Sequence, residues 1–367
     1  MSQVLPLNAP GAVRKTLMGM LQPASPFSIP PRFDPGLWLW LAKFALRCSK
    51  AHMLSSARVR RALLEATEIA YGELFEQESI ECEVRREGSL LAFQSKEAFV
   101  GHGHTDALLR AEFGLAADRY EGDALVELEP SLRDGLAGGW HYPGDFHLRP
   151  DRLIASWSAV NAKWGVEVRE ETEVLGIHAD PNRAGRASVV VTDKGELEAD
   201  CVVVATGAMA PLLNKQLGCR LSVQPGKGYS ITQPRPEACP NRPVIFAEHK
   251  VAATPFEDGY RLGSTMEFTG YDPRIRPARL ELLRNADAVY MREASRGSGE
   301  EAWFGWRSMT SDGLPIIDRS PRFGNVIVAT GHNMLGLTLA PVTGKLVADL
   351  AAERKPQLDL QPLRIDR

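Results

Sequence analysis

Two short apolar runs end in the same three residues, and they constrain the fold more than any other feature. Cys201-Val202-Val203-Val204-Ala205-Thr206-Gly207 and Val326-Ile327-Val328-Ala329-Thr330-Gly331 stay apolar until their closing Thr-Gly. A strand apolar on both faces belongs in the middle of a covered, mostly parallel sheet. Such strands aim their C-terminal ends at loops that hold ligands. The second run continues through His332-Asn333-Met334-Leu335-Gly336 into a helix expected from about Leu337 to Ala352. A helix N-terminus exposes unpaired N–H groups and the positive end of a dipole, which suits an anion or an electron-rich carbonyl. Gly331 and Gly336 allow close backbone approach to a ligand. Arg307, expected a short loop upstream, has the fork geometry that holds a carboxylate. The same local pattern also fits an ordinary strand-turn-helix with a solvated arginine.

The remaining length allows a second domain: 367 residues can bury a sizeable core and are enough for two. A net charge of −3 gives no electrostatic case for nucleic acid. Five scattered cysteines without a C-x-x-C argue against disulfides and zinc and fit a reducing compartment. No apolar run reaches the roughly 20 residues of a membrane span, and no signal-peptide pattern opens the chain, so a cytoplasmic protein is expected. His102-Gly103-His104 resembles a metal pair, but no carboxylate or cysteine cluster stands near it in sequence. It is read as a helix-flanking loop, with no metal site expected.

Along the chain, a short helix is expected near Gly11–Gln22. Asp34-Pro35 is an N-cap signal for a helix rich in apolar residues, and a second helix is expected over 56–79. The first reads as a helix packed between elements; the alternative is a membrane-surface or partner contact through Trp38 and Trp40. Residues 80–100 read as short strands, 104–114 and 125–132 as helices, and 138–150 as a polar, aromatic loop before a helix at Pro150. Asp193-Lys194-Gly195 turns a hairpin. Residues 220–305 change texture: several short strands separated by turns, then a helix from Pro277 to Glu293. This is the pattern of an antiparallel sheet inserted into an α/β domain.

Taken in order, Val174-Leu175-Gly176-Ile177, Ala199 to Ala208, Val223-Gln224-Pro225-Gly226-Lys227-Gly228-Tyr229, Gly305-Trp306-Arg307 with Asp312-Gly313-Leu314-Pro315, and Ala329-Thr330-Gly331-His332-Asn333-x-x-Gly336-x-Thr338 resemble the D-amino-acid oxidase and glycine oxidase superfamily of flavoproteins. The likeness runs from about residue 165 to the end and is strongest to bacterial D-amino-acid dehydrogenases and their imino-acid and hydroxyproline-oxidising relatives. It implies an α/β flavoprotein: a doubly wound FAD-binding domain interleaved with an antiparallel-sheet substrate domain. On that basis residues 1–80 are a connecting segment with helices, 81–135 and 217–305 belong to the substrate domain, and 136–216 and 306–367 to the FAD domain.

The resemblance implies FAD as cofactor and direct oxidation of a D-amino acid, or a cyclic imino acid such as hydroxyproline, to an imino acid that hydrolyses to a keto acid and ammonia. Arg307 would pair with the substrate carboxylate, with Tyr229 and His249 on the substrate side. Gly331, His332, Gly336, Leu337 and Thr338 would meet the flavin ring edge. Val174 would lie near the adenine, and Ala205, Thr206 and Gly207 near the pyrophosphate and ribitol. The electron acceptor would be a quinone or another subunit, with peripheral contact to the inner face of the plasma membrane. Two alternatives stand beside it: an oxidase of the same fold that uses oxygen, and a flavin-free remnant or subunit. The last arises because the family's strand-Gly-x-Gly-x-x-Gly-helix opening does not occur in this sequence, so an N-terminally truncated member without its first βαβ strand is expected.

Overall fold

The computed structural model describes residues 2–14, 25–293 and 299–367. Of the helix expected near Gly11–Gln22, residues 15–22 lie outside them. After β1 (Phe27–Ser28), Asp34 caps α1 (Pro35–Leu46): its Oδ1 accepts the Leu37 N–H at 2.9 Å. Ser49 caps α2 (Lys50–Gln77), longer than the expected 56–79 helix at its N-terminal end.

Next come β2 (Ser89–Phe93), α3 (Lys96–Phe113), β3 (Asp118–Tyr120), α4 (Asp123–Leu128) and β4 (Gly138–Tyr142). Two expectations are corrected here. His102-Gly103-His104 lies inside α3 rather than in a loop, with Gly103 set against the Trp140 ring. Gly138–Tyr142 is a buried strand rather than part of a loop. Its glycines are there for contact, since a Cβ on Gly138 would stand 2.5 Å from the Phe99 ring and one on Gly139 2.8 Å from Leu90.

The chain continues through α5 (Pro150–Lys163) into β5 (Val174–Ala179), β6 (Ala187–Thr192) and β7 (Gly195–Glu198), a three-stranded antiparallel sheet. Val166 and Val168 are exposed and outside any sheet. Then follow β8 (Val202–Val204), α6 (Asn214–Leu217), β9 (Val223–Pro234), β10 (Val244–Phe246), β11 (Val251–Pro255), β12 (Gly259–Gly263), β13 (Met266–Glu267), α7 (Pro277–Tyr290), β14 (Glu301–Thr310), β15 (Ile316–Arg319), β16 (Val326–Thr330) and α8 (Ala340–Ala351).

A ten-stranded, mostly antiparallel sheet has the order β1-β13-β9-β12-β11-β10-β2-β4-β3, with β14 paired along β9. A separate sheet, β15-β16-β8, holds the two Ala-Thr-Gly strands side by side and parallel, Val326 opposite Val202. β16 is buried along its whole length, as expected. β8 is not central: among the described residues it stands at the edge of its sheet, and Val203 is 43% exposed. The expected domain boundary at 305/306 falls inside β14, and β4 joins the large sheet although it lies within 136–216. The two sheets meet where Leu63 and Leu64 of α2 share a core with Leu335, Leu339, Val342 and Leu346.

Candidate active site

The pairing of β9 with β14 sets the site. Arg307 lies opposite Gly226, and Phe304 opposite Tyr229. Side chains alternate along a strand, so Arg307, Gly226 and Gly228 share one face of the sheet while Lys227, Tyr229 and Trp306 share the other. The glycines of Pro-Gly-Lys-Gly-Tyr make room on the arginine face: a Cβ on Gly228 would come 2.1 Å from the Arg307 Nη1. The guanidinium donates to Ser264 Oγ and to the Thr265 carbonyl. Among the described residues no carboxylate pairs with it, and Thr265 Oγ1 beside it is buried without a partner. Burial lowers the Arg307 pKa to about 10, so the group remains a cation at neutral pH, stripped of much of its water.

Tyr229 is not brought to Arg307. It is 1% exposed on the opposite face, where its hydroxyl donates to Glu267 Oε2 at 2.7 Å, and Glu267 also accepts from Arg279 at 2.6 Å. His249 sits in the turn between β10 and β11, with its ring edge-on to Tyr290 at 5.6 Å. That turn lies at the same end of the sheet as Ser264, because Ala252 is paired with Gly263. The His249 Nδ1 is buried without a partner, and burial lowers the pKa of the ring.

The arginine face continues across the sheet through Ser230 opposite Gly263, Thr232 opposite Arg261 and Arg261 opposite Thr254. A cavity of about 380 Å³ opens on this face between Ser89, Ile245, Thr254 and Arg261 of the sheet and Leu335, Leu337 and Thr338 of the turn before α8. The turn is tied to β14. The Asn333 N–H donates to Ser308 O at 3.0 Å, and Asn333 Oδ1 accepts the Thr310 N–H at 3.0 Å. Asn333 itself takes a left-handed φ of 55°, which its short polar side chain tolerates. From the other side, Thr67 donates to Thr338 O at 2.8 Å and Tyr71 to Leu337 O at 2.7 Å. Thus Arg307 and the Gly331–Thr338 turn are neighbours. His332 turns back toward α8, with Nε2 3.0 Å from Thr343 Oγ1, and burial lowers its pKa to about 4.

The second Ala-Thr-Gly end joins the first: Thr330 Oγ1 donates to Gly207 O at 2.7 Å. Ala205 and Thr206 are exposed, and a Cβ on Gly207 would meet nothing within 4 Å. Val174 and Leu175 are 42% and 53% exposed on β5. Sequence reasoning missed the hydroxyl partners of the site, Ser264, Thr67 and Tyr71. They lie far from the glycine strings in sequence, and nothing local marks them.

A parallel pair of strands, one of them buried throughout, whose ends meet a helix-opening turn, beside a large antiparallel sheet carrying a desolvated arginine, is the frame of a flavin-dependent oxidoreductase of two interleaved domains. A family profile described as DAO, FAD dependent oxidoreductase, matches residues 27–350, and the chain belongs to that family. It is similar to a D-amino acid dehydrogenase of Sinorhizobium medicae (strain WSM419), 32% identical over 370 residues that cover 99% of this chain and 87% of that protein. One of Methylobacterium nodulans (strain LMG 21967 / CNCM I-2342 / ORS 2060) is 33% identical, covering 96% and 84%. Among solved structures, glycine oxidase from Geobacillus kaustophilus superposes with a TM-score of 0.74 at 29% identity, covering 85% of this chain and 82% of that one. The chain is thus an FAD-dependent enzyme.

The residues present fit one end of that cofactor. Among the described residues the amides of Gly336, Leu337 and Thr338 have no backbone acceptor, so they are free to bind the electron-rich edge of a ring. The open backbone at Ala205–Gly207 leaves room alongside. The sequence contains no Gly-x-Gly-x-x-Gly for the phosphates, so no phosphate contact is assigned.

Proposed function

We propose that this site oxidises an amino acid, of the D configuration or a cyclic imino acid, bound through its carboxylate to Arg307. The observation that carries this reading is a desolvated guanidinium with no carboxylate partner among the described residues. A buried cation without an anion is costly, and a bidentate substrate carboxylate relieves it. Ser264 and Thr265 fix the plane of the fork, and Gly228 keeps its path clear. Gly331, Gly336, Leu337 and Thr338 would hold the ring edge of FAD, with His332 as a neutral ring packed behind them. Val174 and Ala205-Thr206-Gly207 would lie along the remainder.

Bound FAD supplies the acceptor for the hydride of the substrate α-carbon. The chain's part is to place that carbon and exclude water from the sheet face. The substrate amine reacts in its neutral form. Oxidation of a primary amino acid leaves an imino acid that water converts to a keto acid and ammonia, whereas a cyclic substrate leaves a ring imine whose hydrolysis opens the ring with the nitrogen still attached. His249, held largely neutral by burial, is proposed as a substrate-side residue.

The test is Arg307→Ala in flavin-loaded protein, followed by anaerobic bleaching of the flavin with a panel of D-amino acids and prolines. KM is expected to rise by about two orders of magnitude, the scale of losing one charge-assisted bidentate contact, with Arg307→Lys in between. An unchanged KM overturns the assignment. Assays with a quinone analogue and with oxygen, reading peroxide, separate dehydrogenase from oxidase.

A further inference from the structure

We propose that Arg261 takes a second carboxylate at the far end of the substrate, so that the site is built for an amino acid with an acidic side chain. Its counterpart is Arg307, read above as the holder of the α-carboxylate, and the assignment rests on that reading. Both arginines can be placed against one strand. The Arg307 Nη1 lies where a Cβ on Gly228 of β9 would stand, and the Arg261 Nε donates to Thr232 Oγ1 at 2.9 Å. Gly228 and Thr232 are on the same face of β9, about 13 Å apart at roughly 3.3 Å per residue. Between them that face carries Ser230 with Gly263 opposite it, both small, so a ligand can lie along the strand from one guanidinium to the other. Charge-assisted hydrogen bonds take about 3 Å at either end, which leaves roughly 7 Å for the ligand itself. That is the span between the outer carboxylate oxygens of glutamate or its one-carbon-longer homologue.

Arg261 is held in place but not satisfied. Its Nε is fixed by Thr232, and its guanidinium rests over the Phe256 ring at 5.3 Å from the centroid. Among the described residues neither Nη makes a hydrogen bond, and the one ion pair is long, Nη2 to Asp151 Oδ1 at 3.9 Å. Asp151 is held more closely by Arg149, whose Nε donates to it at 3.0 Å. The Arg261 side chain is 30% exposed and faces the 380 Å³ cavity beside Thr254 and Phe256. Burial lowers its pKa and Arg149 adds to that, while Asp151 and Glu301 oppose it; an arginine so placed remains a cation at neutral pH. A neutral substrate side chain laid over this guanidinium displaces its water and returns no hydrogen bond. A carboxylate returns two, in the fork geometry that the Thr232 and Phe256 contacts have already set. The cavity is therefore positive at both ends of a small-residue path, which favours a diacid over a monoacid.

The test is calorimetric titration of the FAD-loaded full chain with glutarate, a diacid with no amine to oxidise, against butyrate. Glutarate is expected to bind about 10–100-fold more tightly, the scale of one charge-assisted bidentate contact. Arg261→Gln should erase that margin, Arg261→Lys should keep part of it, and Arg307→Ala should weaken both acids. In turnover, the parent should prefer D-glutamate to its amide D-glutamine by about tenfold or more in kcat/KM, and Arg261→Gln should remove the preference through KM rather than kcat. Glutarate binding that is equal in the parent and Arg261→Gln, yet weakened by Arg307→Ala, overturns this assignment and leaves that of Arg307 standing. Binding indifferent to both substitutions overturns the two together. A parent that takes D-glutamine as readily as D-glutamate also overturns the role given to Arg261.

Discussion

At the level of single residues, Gly228 and Tyr229 separate position from chemistry. They are adjacent in sequence and lie on opposite faces of β9. Gly228→Ala puts a methyl 2.1 Å from Arg307 Nη1, so the guanidinium must leave its seat on Ser264 and Thr265. The expected result is a KM raised about tenfold or more with a nearly normal melting temperature, because the displaced atoms are the far end of a side chain. A KM at the parent value would show that the guanidinium's seat does not matter. Tyr229→Phe is expected to behave in the reverse way. It removes the donor to Glu267, which remains buried beside Arg279, and should lower stability by about 1–2 kcal/mol. KM should stay within about twofold, and a large KM change would return Tyr229 to the substrate side. Arg307 was legible in the sequence because its neighbours form a recognisable string. The face that Tyr229 occupies was not, because alternation assigns faces only once the register is known.

At the level of elements, the sequence marked buried strands well and glycine-rich ones poorly. β16 and the β6–β7 hairpin appear where apolar runs and an Asp-Lys-Gly turn put them. Gly138–Tyr142 looked like a loop because glycine and aromatic residues are common in loops. Here the glycines admit Phe99 and Leu90, and the aromatics line a buried strand. Likewise Gly101 and Gly103 disguised the middle of α3, which tertiary packing against Trp140 holds helical. β8 shows the converse. Its run is as apolar as that of β16, yet the apolar pattern says only that a strand can be covered on both faces, not which strands lie beside it.

For the whole molecule, the candidate site lies where two sheets meet, and its imidazoles report on that junction. His332 joins the turn to α8 and is shifted by burial alone to about 4. His102 on α3 lies 2.9 Å from the Tyr142 hydroxyl of β4; burial lowers it to about 4, Lys250 adds to that, and Asp106 opposes it. His147 and His249 are lowered in the same direction by burial. In the unfolded chain these rings take up protons near pH 6.5, while in the folded protein His332 and His102 refuse them until about pH 4 and His147 and His249 are shifted the same way. The unfolded state therefore binds more protons across that window, so stability is flat above about pH 7 and falls as pH drops from 6.5 toward 4. Buried carboxylates held below their usual range, such as Asp312 beside Arg367, add their loss only at the acid end. Urea titrations at pH 7, 6 and 5 should show a loss of roughly 3–4 kcal/mol from His332 and His102 together by pH 5. In His332→Gln with His102→Gln the slope between pH 6.5 and 5 should flatten, whatever the two substitutions cost at pH 7. An unchanged slope would mean that both rings take up protons freely in the folded state, and that the turn beside Arg307 is wetter than its packing implies.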